Sequence, residues 1–367
     1  MVEIPTIEGK IGTHNYEFKI NLELEEIDFI EAMQKNRKVF KSKFLNKETV
    51  GISVWTTPKR TKTYPFTRVY DTLSYDGVKI TIIPALVDYG SNGERGKIQP
   101  NTIYWLSGLG VYLILGVYID ADKGEVGGLA KNAGLGTKSR EGSPKFAKGQ
   151  RFDLGYIQAQ IKEIIQKKPN ITTWNQKQLI MIPGLLEEAI DNYKRLGEKL
   201  KVPLGNFSRL ESKVKAWQKD SEKFLADCVK ESKRAQKSEA NSIHVLEDVP
   251  GEKGKINIDF GDSKILYLTA DSVEIKKDKC LITLLEGKNT TSDNLPNWGD
   301  IKDALVKLMI FKNSDFCFEG KKYKKKLVCY LTSTNKDVTK FKEEYKSLIE
   351  ECNANDIELR FNKEIIK

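Results

Sequence analysis

The chain has 367 residues, of which 61 are Lys or Arg and 51 are Asp or Glu, giving a formal net charge of +10. This length corresponds to about two ordinary domains, and the 39% hydrophobic content excludes a wholly disordered chain. With only 2 His, a Ser-His-Asp catalytic triad and a histidine-based metal site are both disfavoured.

Neither the cysteines nor the apolar segments indicate export. The 5 Cys include no C-x-x-C pair, which is typical of reduced thiols rather than of disulfides or metal ligands. The longest apolar stretch, residues 106–119, is shorter than the roughly 20 residues that a membrane-spanning helix needs. We therefore expect a cytoplasmic protein whose excess of Lys and Arg suits a polyanionic partner.

Composition and hydrophobic periodicity divide the chain into four segments, of which the C-terminal one is the longest. Residues 1–123 predict a β-rich region with one helix near residues 25–45, residues 124–152 a flexible basic loop rich in Gly, Lys and Ser, and residues 153–207 a helical insertion. The strands expected in the first region are short β-branched or aromatic segments, at residues 16–22, 50–55, 66–73, 78–84 and 111–119.

The C-terminal segment, residues 208–367, alternates between helical and strand patterns. It opens with a long amphipathic helix from Ser208 to Ser238, whose apolar stripe includes Leu225. The elements expected after it are strands at residues 255–260, 264–270 and 280–286, a helix at 298–311, a strand at 325–332, a helix at 338–352 and a strand at 357–361. The fold class is therefore α/β, in the broad sense that includes α+β.

One hairpin of this segment carries the residues best suited to chemistry. A strand runs into Asp271, and the next strand ends at Glu286-Gly287-Lys288. Because side chains alternate along a strand, Glu286 and Lys288 project from one face, and the neighbouring strand can present Asp271 beside them. Two carboxylates can hold Mg²⁺, and a lysine can orient or help deprotonate a water for attack on a phosphodiester.

This arrangement resembles the PD-(D/E)xK nuclease superfamily. Glu-x-Lys recurs elsewhere in the chain, so the motif depends on its context: a strand with an acidic residue one hairpin upstream and a helix downstream. The resemblance implies a C-terminal restriction-endonuclease-like core over residues 208–367, with Asp271 and Glu286 as metal ligands and Lys288 as the catalytic lysine. Ala270 stands where many members have Pro.

The resemblance also implies a supporting acid from the preceding helix, for which Glu231 and Glu239 are both candidates. We expect the β-rich region, residues 1–123, to contribute to DNA recognition, because basic and aromatic residues are interleaved between Trp55 and Tyr70. An ordinary solvated loop is an equally good interpretation of that segment. The residues expected to contact DNA there and in the basic loop are Lys59, Arg60, Lys62, Tyr64, Arg68, Lys138 and Arg140.

The function implied by the resemblance is that of a Mg²⁺-dependent, sequence-specific endonuclease of double-stranded DNA, similar to type II restriction enzymes. Two such sites would be needed to cut both strands in one encounter, so a homodimer is expected, with a companion DNA methyltransferase as a separate chain. The alternatives are a noncatalytic nucleic-acid-binding or defence-complex protein with a degenerate nuclease fold, and a repair or RNA-directed nuclease. On the helix after the motif, Asp300, Lys302 and Lys307 could support the site, but a charged helix face is the favoured interpretation.

Overall fold

The computed structural model describes residues 4–20, 22–58, 65–88, 96–123, 147–202, 206–242, 251–262, 264–290 and 293–367. Within these ranges the chain is a mixed α/β protein with ten α-helices and three β-sheets. None of the helices in these ranges is both long and apolar enough to cross a lipid bilayer.

The N-terminal half is built around a four-stranded sheet. Its elements are β1 (Thr6–Ile11), α1 (Phe29–Gln34), β2 (Val39–Lys43), β3 (Thr49–Val54), α2 (Pro65–Leu73), β4 (Val78–Pro84), α3 (Pro100–Gly108), β5 (Tyr112–Gly116), β6 (Tyr118–Lys123) and β7 (Ala147–Phe152). The sheet has the order β2-β3-β4-β5, and β3, β4 and β5 run parallel. Parallel neighbours require crossover connections, which here contain α2 and α3.

The prediction of a strand at residues 66–73 was wrong, because this segment forms α2. Its aromatic and β-branched residues favour a strand by composition, but Phe66, Val69, Tyr70 and Leu73 follow the i, i+3, i+4, i+7 spacing of a helix and are all buried. The helix expected near residues 25–45 is also shorter than predicted, since β2 follows α1 within that range. Residues 16–20 form no strand.

The segment predicted to be helical, residues 153–207, contains α4 (Leu154–Lys167) and α5 (Ile171–Leu200). Two buried amides of α5 cover the free edge of β5: Asn175 Oδ1 accepts from the Leu113 N–H at 2.7 Å, and Gln178 Oε1 accepts from the Leu115 N–H at 3.0 Å. An edge strand otherwise exposes unpaired backbone groups. The insertion therefore completes the N-terminal sheet.

The long helix predicted from Ser208 is two helices, α6 (Ser208–Lys219) and α7 (Ser221–Ala240). Asp220 has extended backbone and its side chain accepts from the Lys223 N–H at 2.8 Å, which caps α7 and ends α6. Leu225, expected in the apolar stripe, is 41% exposed, because the buried face of α7 follows Phe224 and Cys228 at a spacing of four residues.

The C-terminal elements form a larger sheet. They are β8 (Glu252–Asp259), β9 (Ile265–Lys276), β10 (Leu281–Thr290), α8 (Trp298–Lys312), β11 (Ser314–Phe318), β12 (Lys321–Ser333), α9 (Val338–Glu344), α10 (Lys346–Ala354), β13 (Ile357–Phe361) and β14 (Glu364–Ile366). The strands β8, β9 and β10 form an antiparallel meander, β12 pairs parallel to β10, and β13 pairs parallel to β12.

This larger sheet closes into a six-stranded ring through β1. Strand β1 pairs parallel to β8 on one side and antiparallel to β11 on the other, and β11 pairs with the start of β12. The ring order is β8-β9-β10-β12-β11-β1. The N-terminal strand β1 is thus an integral part of the sheet that carries Asp271 and Glu286. The sequence patterns assigned it instead to the β-rich region of residues 1–123.

A buried carboxylate fixes the segment between β1 and α1 to α10. Glu351 is 0% exposed, and it accepts hydrogen bonds from the hydroxyls of Tyr16 and Tyr70 and from the backbone N–H groups of Lys19 and Ile20. These four donors satisfy the carboxylate without a cation, and they come from two parts of the chain more than 250 residues away. Glu351 therefore links the N-terminal half to the C-terminal sheet.

We expect Glu351→Ala to lower the free energy of unfolding by about 3 kcal/mol, because it leaves several buried donors without an acceptor. Equilibrium unfolding in urea measures this change. Glu350→Ala, at an exposed position of the same helix, is the control and should change stability by less than about 0.5 kcal/mol. Equal effects of the two substitutions would contradict the role assigned to Glu351.

Candidate functional site

Strands β9 and β10 bring Asp271 and Glu286 side by side. Their register pairs Ser272 with Leu285, so the next position along the two strands sets Asp271 opposite Glu286. The backbone N–H of Gly287 donates to Asp271 Oδ2 at 3.0 Å, which orients the carboxylate toward β10. The two acids predicted from the sequence are therefore direct cross-strand neighbours.

The alternation of side chains along β10 decides which residues share a face with Glu286. Ile282 and Leu284 are fully buried on this face, and Glu286 continues the same row with only 3% of its surface exposed. Lys288 comes two residues later, where the strand leaves the core, and is partly exposed. Its Nζ lies 3.5 Å from Glu286 Oε1. The structure thus brings all three predicted catalytic residues together.

Helix α8 adds two residues to the site: Asp303, which was not predicted, and Lys307, for which a charged helix face was the favoured interpretation. Asp303 accepts a hydrogen bond from Lys288 Nζ at 2.8 Å, and Lys307 Nζ lies 2.7 Å from Glu286 Oε2. Lys307 is only 7% exposed. Asp303 and Lys307 are four residues apart, so they lie on one face of the helix. That spacing, directly after the motif, is the signal by which the pair could have been recognised.

The other two charged residues considered on α8 lie away from these carboxylates. Asp300 donates its backbone N–H to Asn297 Oδ1 at 2.9 Å, in the cap that begins the helix. Lys302 donates to Asp71 Oδ1 at 2.6 Å, joining α8 to α2. Of the three candidates on this helix, Lys307 alone contacts the carboxylate pair in the described structure.

The two carboxyl groups differ in their affinity for a proton. Burial and the neighbouring Asp271 carboxylate raise the pKa of Glu286 to about 8, against the opposing effect of Lys307 and Lys288. Burial works to raise the pKa of Asp271 as well, but the Lys307 charge and the Gly287 N–H outweigh it and the net direction is downward. At neutral pH the pair therefore holds one proton, mainly on Glu286.

Both lysines remain cationic. Burial works to lower the pKa of Lys288, but the negative charges of Glu286 and Asp303 outweigh it and the pKa is raised. For Lys307, burial is likewise outweighed by Glu286 and Asp271, and its pKa is also raised. Lys288 is thus suited to act as a fixed positive charge or a hydrogen-bond donor. It is not suited to accept a proton at neutral pH.

The structure separates the two candidate acids of α7. Glu239 Oε1 lies 3.9 Å from Lys307 Nζ, the same ammonium group that contacts Glu286. Glu231, two turns earlier, pairs with Lys97 at 2.6 Å instead. Glu239 is therefore the helix glutamate that adjoins the carboxylate pair through a shared cation.

Of the residues expected to contact DNA, only Arg68 lies within the described ranges. It is on α2, and its guanidinium donates to the Val54 backbone carbonyl at 3.0 Å. It is therefore a half-buried helix residue, whereas a β-loop position was expected. The predictions for the remaining six fall outside the described residues: Lys59, Arg60, Lys62, Tyr64, Lys138 and Arg140.

The donor set at Asp271 and Glu286 fits a magnesium ion. Mg²⁺ prefers hard oxygen ligands and is commonly held by one or two carboxylates, with water and substrate phosphates completing its shell. In the described parts of the chain, no group of three or more His, Cys, Asp or Glu side chains is arranged to hold a metal ion. A metal here would thus be coordinated by two protein carboxylates, and one of them, Glu286, also contacts Lys307.

Comparisons of the chain with protein-family models, with curated proteins and with solved structures found no match.

Proposed function

We propose that this chain is a Mg²⁺-dependent endonuclease that hydrolyses phosphodiester bonds of double-stranded DNA at specific sequences, in the manner of type II restriction enzymes. The observation that carries the proposal is the convergence of Asp271, Glu286 and Lys288 on adjacent strands, with Glu286 buried and Lys288 partly exposed. Two carboxylates and a cation on neighbouring strands suit metal-assisted attack on a phosphodiester.

The order of elements around the site supports a PD-(D/E)xK core. Helix α7 precedes the meander β8-β9-β10, α8 follows it, and β12 then pairs parallel to β10. This is the order of helix, three strands, helix and strand that the resemblance implies. The closure of the sheet by β1 and β11 is an addition to that order.

Each residue of the site has a separate task in this proposal. Asp271 and Glu286 would hold Mg²⁺, which when bound supplies positive charge to polarise the scissile phosphate. Lys288, held by Asp303, positions the attacking water and stabilises negative charge that develops on the phosphate. Because Lys288 stays protonated, the proton of the water must leave to another acceptor.

DNA binding and assembly follow from the same proposal. The net charge of +10 suits a phosphate backbone. Cutting both strands in one encounter would take two copies of the site, so we propose a homodimer on double-stranded DNA.

A specific observation favours a second candidate, a noncatalytic nucleic-acid-binding protein. With the shared proton on Glu286, Lys307 balances the charge of Asp271 and Asp303 balances that of Lys288, so these charges cancel without a metal. Buried ion networks of this kind also occur in a purely structural role. In this alternative the site has lost its chemistry and keeps only its contribution to the fold.

Incubation of the purified protein with bacteriophage DNA distinguishes these functions. Discrete fragments with Mg²⁺ and none with EDTA are the expected result. A smear of products would indicate a nuclease without sequence specificity. Intact DNA, retarded by the protein in a gel at low salt, would overturn the nuclease proposal and support the noncatalytic protein.

A substitution at Lys307 tests whether the carboxylate pair binds cations. We expect Lys307→Met to lower stability at pH 8 by roughly 3 kcal/mol, because it leaves adjacent buried carboxyl groups without their nearest cation. We also expect Mg²⁺ to restore much of this loss and to raise the melting temperature of the variant more than that of the wild type. Differential scanning fluorimetry with and without Mg²⁺ measures both effects.

The matched control for this experiment is Lys312→Met. Lys312 lies at the end of the same helix and pairs with the exposed Asp356. Its substitution should change stability little and leave the response to Mg²⁺ as in the wild type. A Lys307→Met variant that Mg²⁺ does not stabilise would count against a metal site at Asp271 and Glu286.

A further inference from the structure

A cavity of about 300 Å³ lies in the N-terminal half, formed by elements other than those of the carboxylate site. We call it the Lys38 pocket. Its apolar lining comes from Met33, Val54, Tyr118, Phe152 and Leu154. The polar residues around it include Asn36, Arg37, Lys38, Asp122, Gln150 and Arg151. Small-molecule sites are typically concave, largely apolar and furnished with a few polar groups of this kind.

The aromatic side of the pocket is held in place by its neighbours. The rings of Tyr118 and Phe152 pack with their centroids 4.4 Å apart, and the Tyr118 hydroxyl donates to the Thr56 carbonyl at 3.3 Å. Gly116 makes room for Phe152, since a Cβ at this position would lie 2.8 Å from the ring. The two rings are only 4% and 6% exposed, so they form a fixed floor of the pocket, against which a planar ring can pack without first ordering the protein.

In the described ranges, some of the cations at and beside the pocket are paired with carboxylates and others are not. Arg151 pairs with Asp122 at 3.0 Å, and Arg37 pairs with Glu25 at 3.3 Å. Lys38 and Arg68, by contrast, have no carboxylate partner within the described ranges, and Arg68 donates only to the carbonyl of the pocket residue Val54. Burial lowers the pKa of both groups, and the charge of Arg68 lowers that of Lys38 further.

Two half-buried cations that repel each other destabilise the protein unless an anion relieves them. The anion must reach Lys38 at the pocket, while the rest of the ligand meets the aromatic and apolar wall. A phosphate joined to a planar ring satisfies both demands, and base–aromatic stacking contributes about 1–3 kcal/mol per base. The amides of Asn36 and Gln150 at the rim can donate hydrogen bonds to the edge of such a ring.

We propose that the Lys38 pocket binds one nucleotide unit, with its base against Tyr118 and Phe152 and its phosphate at Lys38. The unit has two sources with the same chemistry, a free nucleoside monophosphate or an unpaired nucleotide of a DNA strand. The second source deepens the proposed function and rests on it, since the pocket would then receive a base that has left the duplex.

The test is calorimetric titration of the full chain, in EDTA, with each of the four deoxynucleoside 5′-monophosphates and with inorganic phosphate. We expect at least one nucleotide to bind at least tenfold more tightly than phosphate. Lys38→Met should weaken its binding at least tenfold, while the control Lys43→Met, at an exposed residue paired with Glu26, should leave it unchanged. Phosphate binding as tight as nucleotide binding would overturn the proposal.

A second variant distinguishes loss of nucleotide binding from loss of the fold. Met33→Trp places a larger side chain at the pocket and should abolish nucleotide binding while the thermal unfolding transition is kept. Lys38→Met should raise the melting temperature, because it removes an unbalanced half-buried charge. Unchanged nucleotide binding in both variants would also overturn the proposal.

Competition identifies the source of the nucleotide. A single-stranded oligonucleotide that displaces the bound monophosphate supports a DNA strand as the ligand, and lack of displacement supports the free nucleotide. Because these titrations contain no metal, they are independent of cleavage. Nucleotide binding by a protein that cleaves no DNA would overturn the proposed nuclease function and support the proposed ligand of the pocket. Cleavage without nucleotide binding would overturn the proposed ligand alone.

Discussion

Replacement of Lys288 by Ala is expected to reduce DNA cleavage by about 10³-fold, the scale of effect seen when one fixed donor to a developing negative charge is removed. Lys288 lies 3.5 Å from Glu286 and is held by Asp303, so its ammonium has a fixed position beside the carboxylates. DNA affinity should change by less than about threefold, since one lysine among many contributes little to binding of the phosphate backbone. Cleavage assays and gel retardation in Ca²⁺ measure the two quantities.

Lys276→Ala is the matched control for this experiment. Lys276 ends β9 in the same hairpin, and its salt bridge with Glu274 lies on the surface. Its substitution should leave cleavage within about twofold, as for other surface changes away from a site. Lys288→Arg separates charge from shape: it keeps the cation but not the geometry, and we expect partial activity. Full cleavage by Lys288→Ala would remove this lysine from the proposed chemistry.

The affinity of the site for Mg²⁺ is expected to rise with pH, by about tenfold per pH unit between pH 6 and 8, and to level off above pH 8. The direction of this pH dependence follows from the protonation of Glu286. Burial and the charge of Asp271 raise the pKa of Glu286 to about 8, so below that pH the metal must displace a proton from this carboxyl group. Above pH 8 the carboxylate is already ionised and no proton is released.

Isothermal titration calorimetry of the metal-free protein in buffers of different ionisation enthalpy measures both the affinity and the number of protons released. We expect close to one proton at pH 6.5 and almost none at pH 9. Glu286→Gln has no proton to lose, so it should bind Mg²⁺ weakly and without this pH dependence. A wild-type affinity that stays constant from pH 6 to 8 would contradict the shared proton of Asp271 and Glu286.

Both experiments depend on the coupling of four charges. Asp271 and Glu286 repel each other across the hairpin, and Lys288 and Lys307 stabilise their ionised forms. Removal of Lys307 should therefore raise the pKa of Glu286 further and move the pH dependence of metal binding to higher pH. At the same time, it removes the cation that competes for Glu286 Oε2.

Much of the C-terminal half could be predicted from the sequence, because its elements are defined locally. The meander β8-β9-β10, helix α8 and strands β12 and β13 lie where apolar periodicity indicates them. Asp271, Glu286 and Lys288 are close in the chain and joined by one short hairpin, so the register of two strands alone brings them together. The pairing of adjacent strands is the kind of contact that sequence spacing determines.

The N-terminal half was less predictable, because composition and periodicity disagree there. In α2, Phe66, Val69 and Tyr70 are typical of strands by residue type, yet their spacing is helical and their burial in the core decides in favour of a helix. Composition equally gave no indication that β1 joins the distant strands β8 and β11, since the contacts that fix its place are more than 240 residues away along the chain.

The sequence by itself determined that the protein is a mixed α/β chain with excess positive charge and a hairpin bearing two acids and a lysine. Only the tertiary structure decided that Lys307 and Asp303 join that hairpin, that Glu239 rather than Glu231 adjoins it, and that Lys38 lines a pocket. The physical reason is that residue type and spacing set local conformation. The environment of a charge, by contrast, depends on which distant elements pack beside it and exclude water.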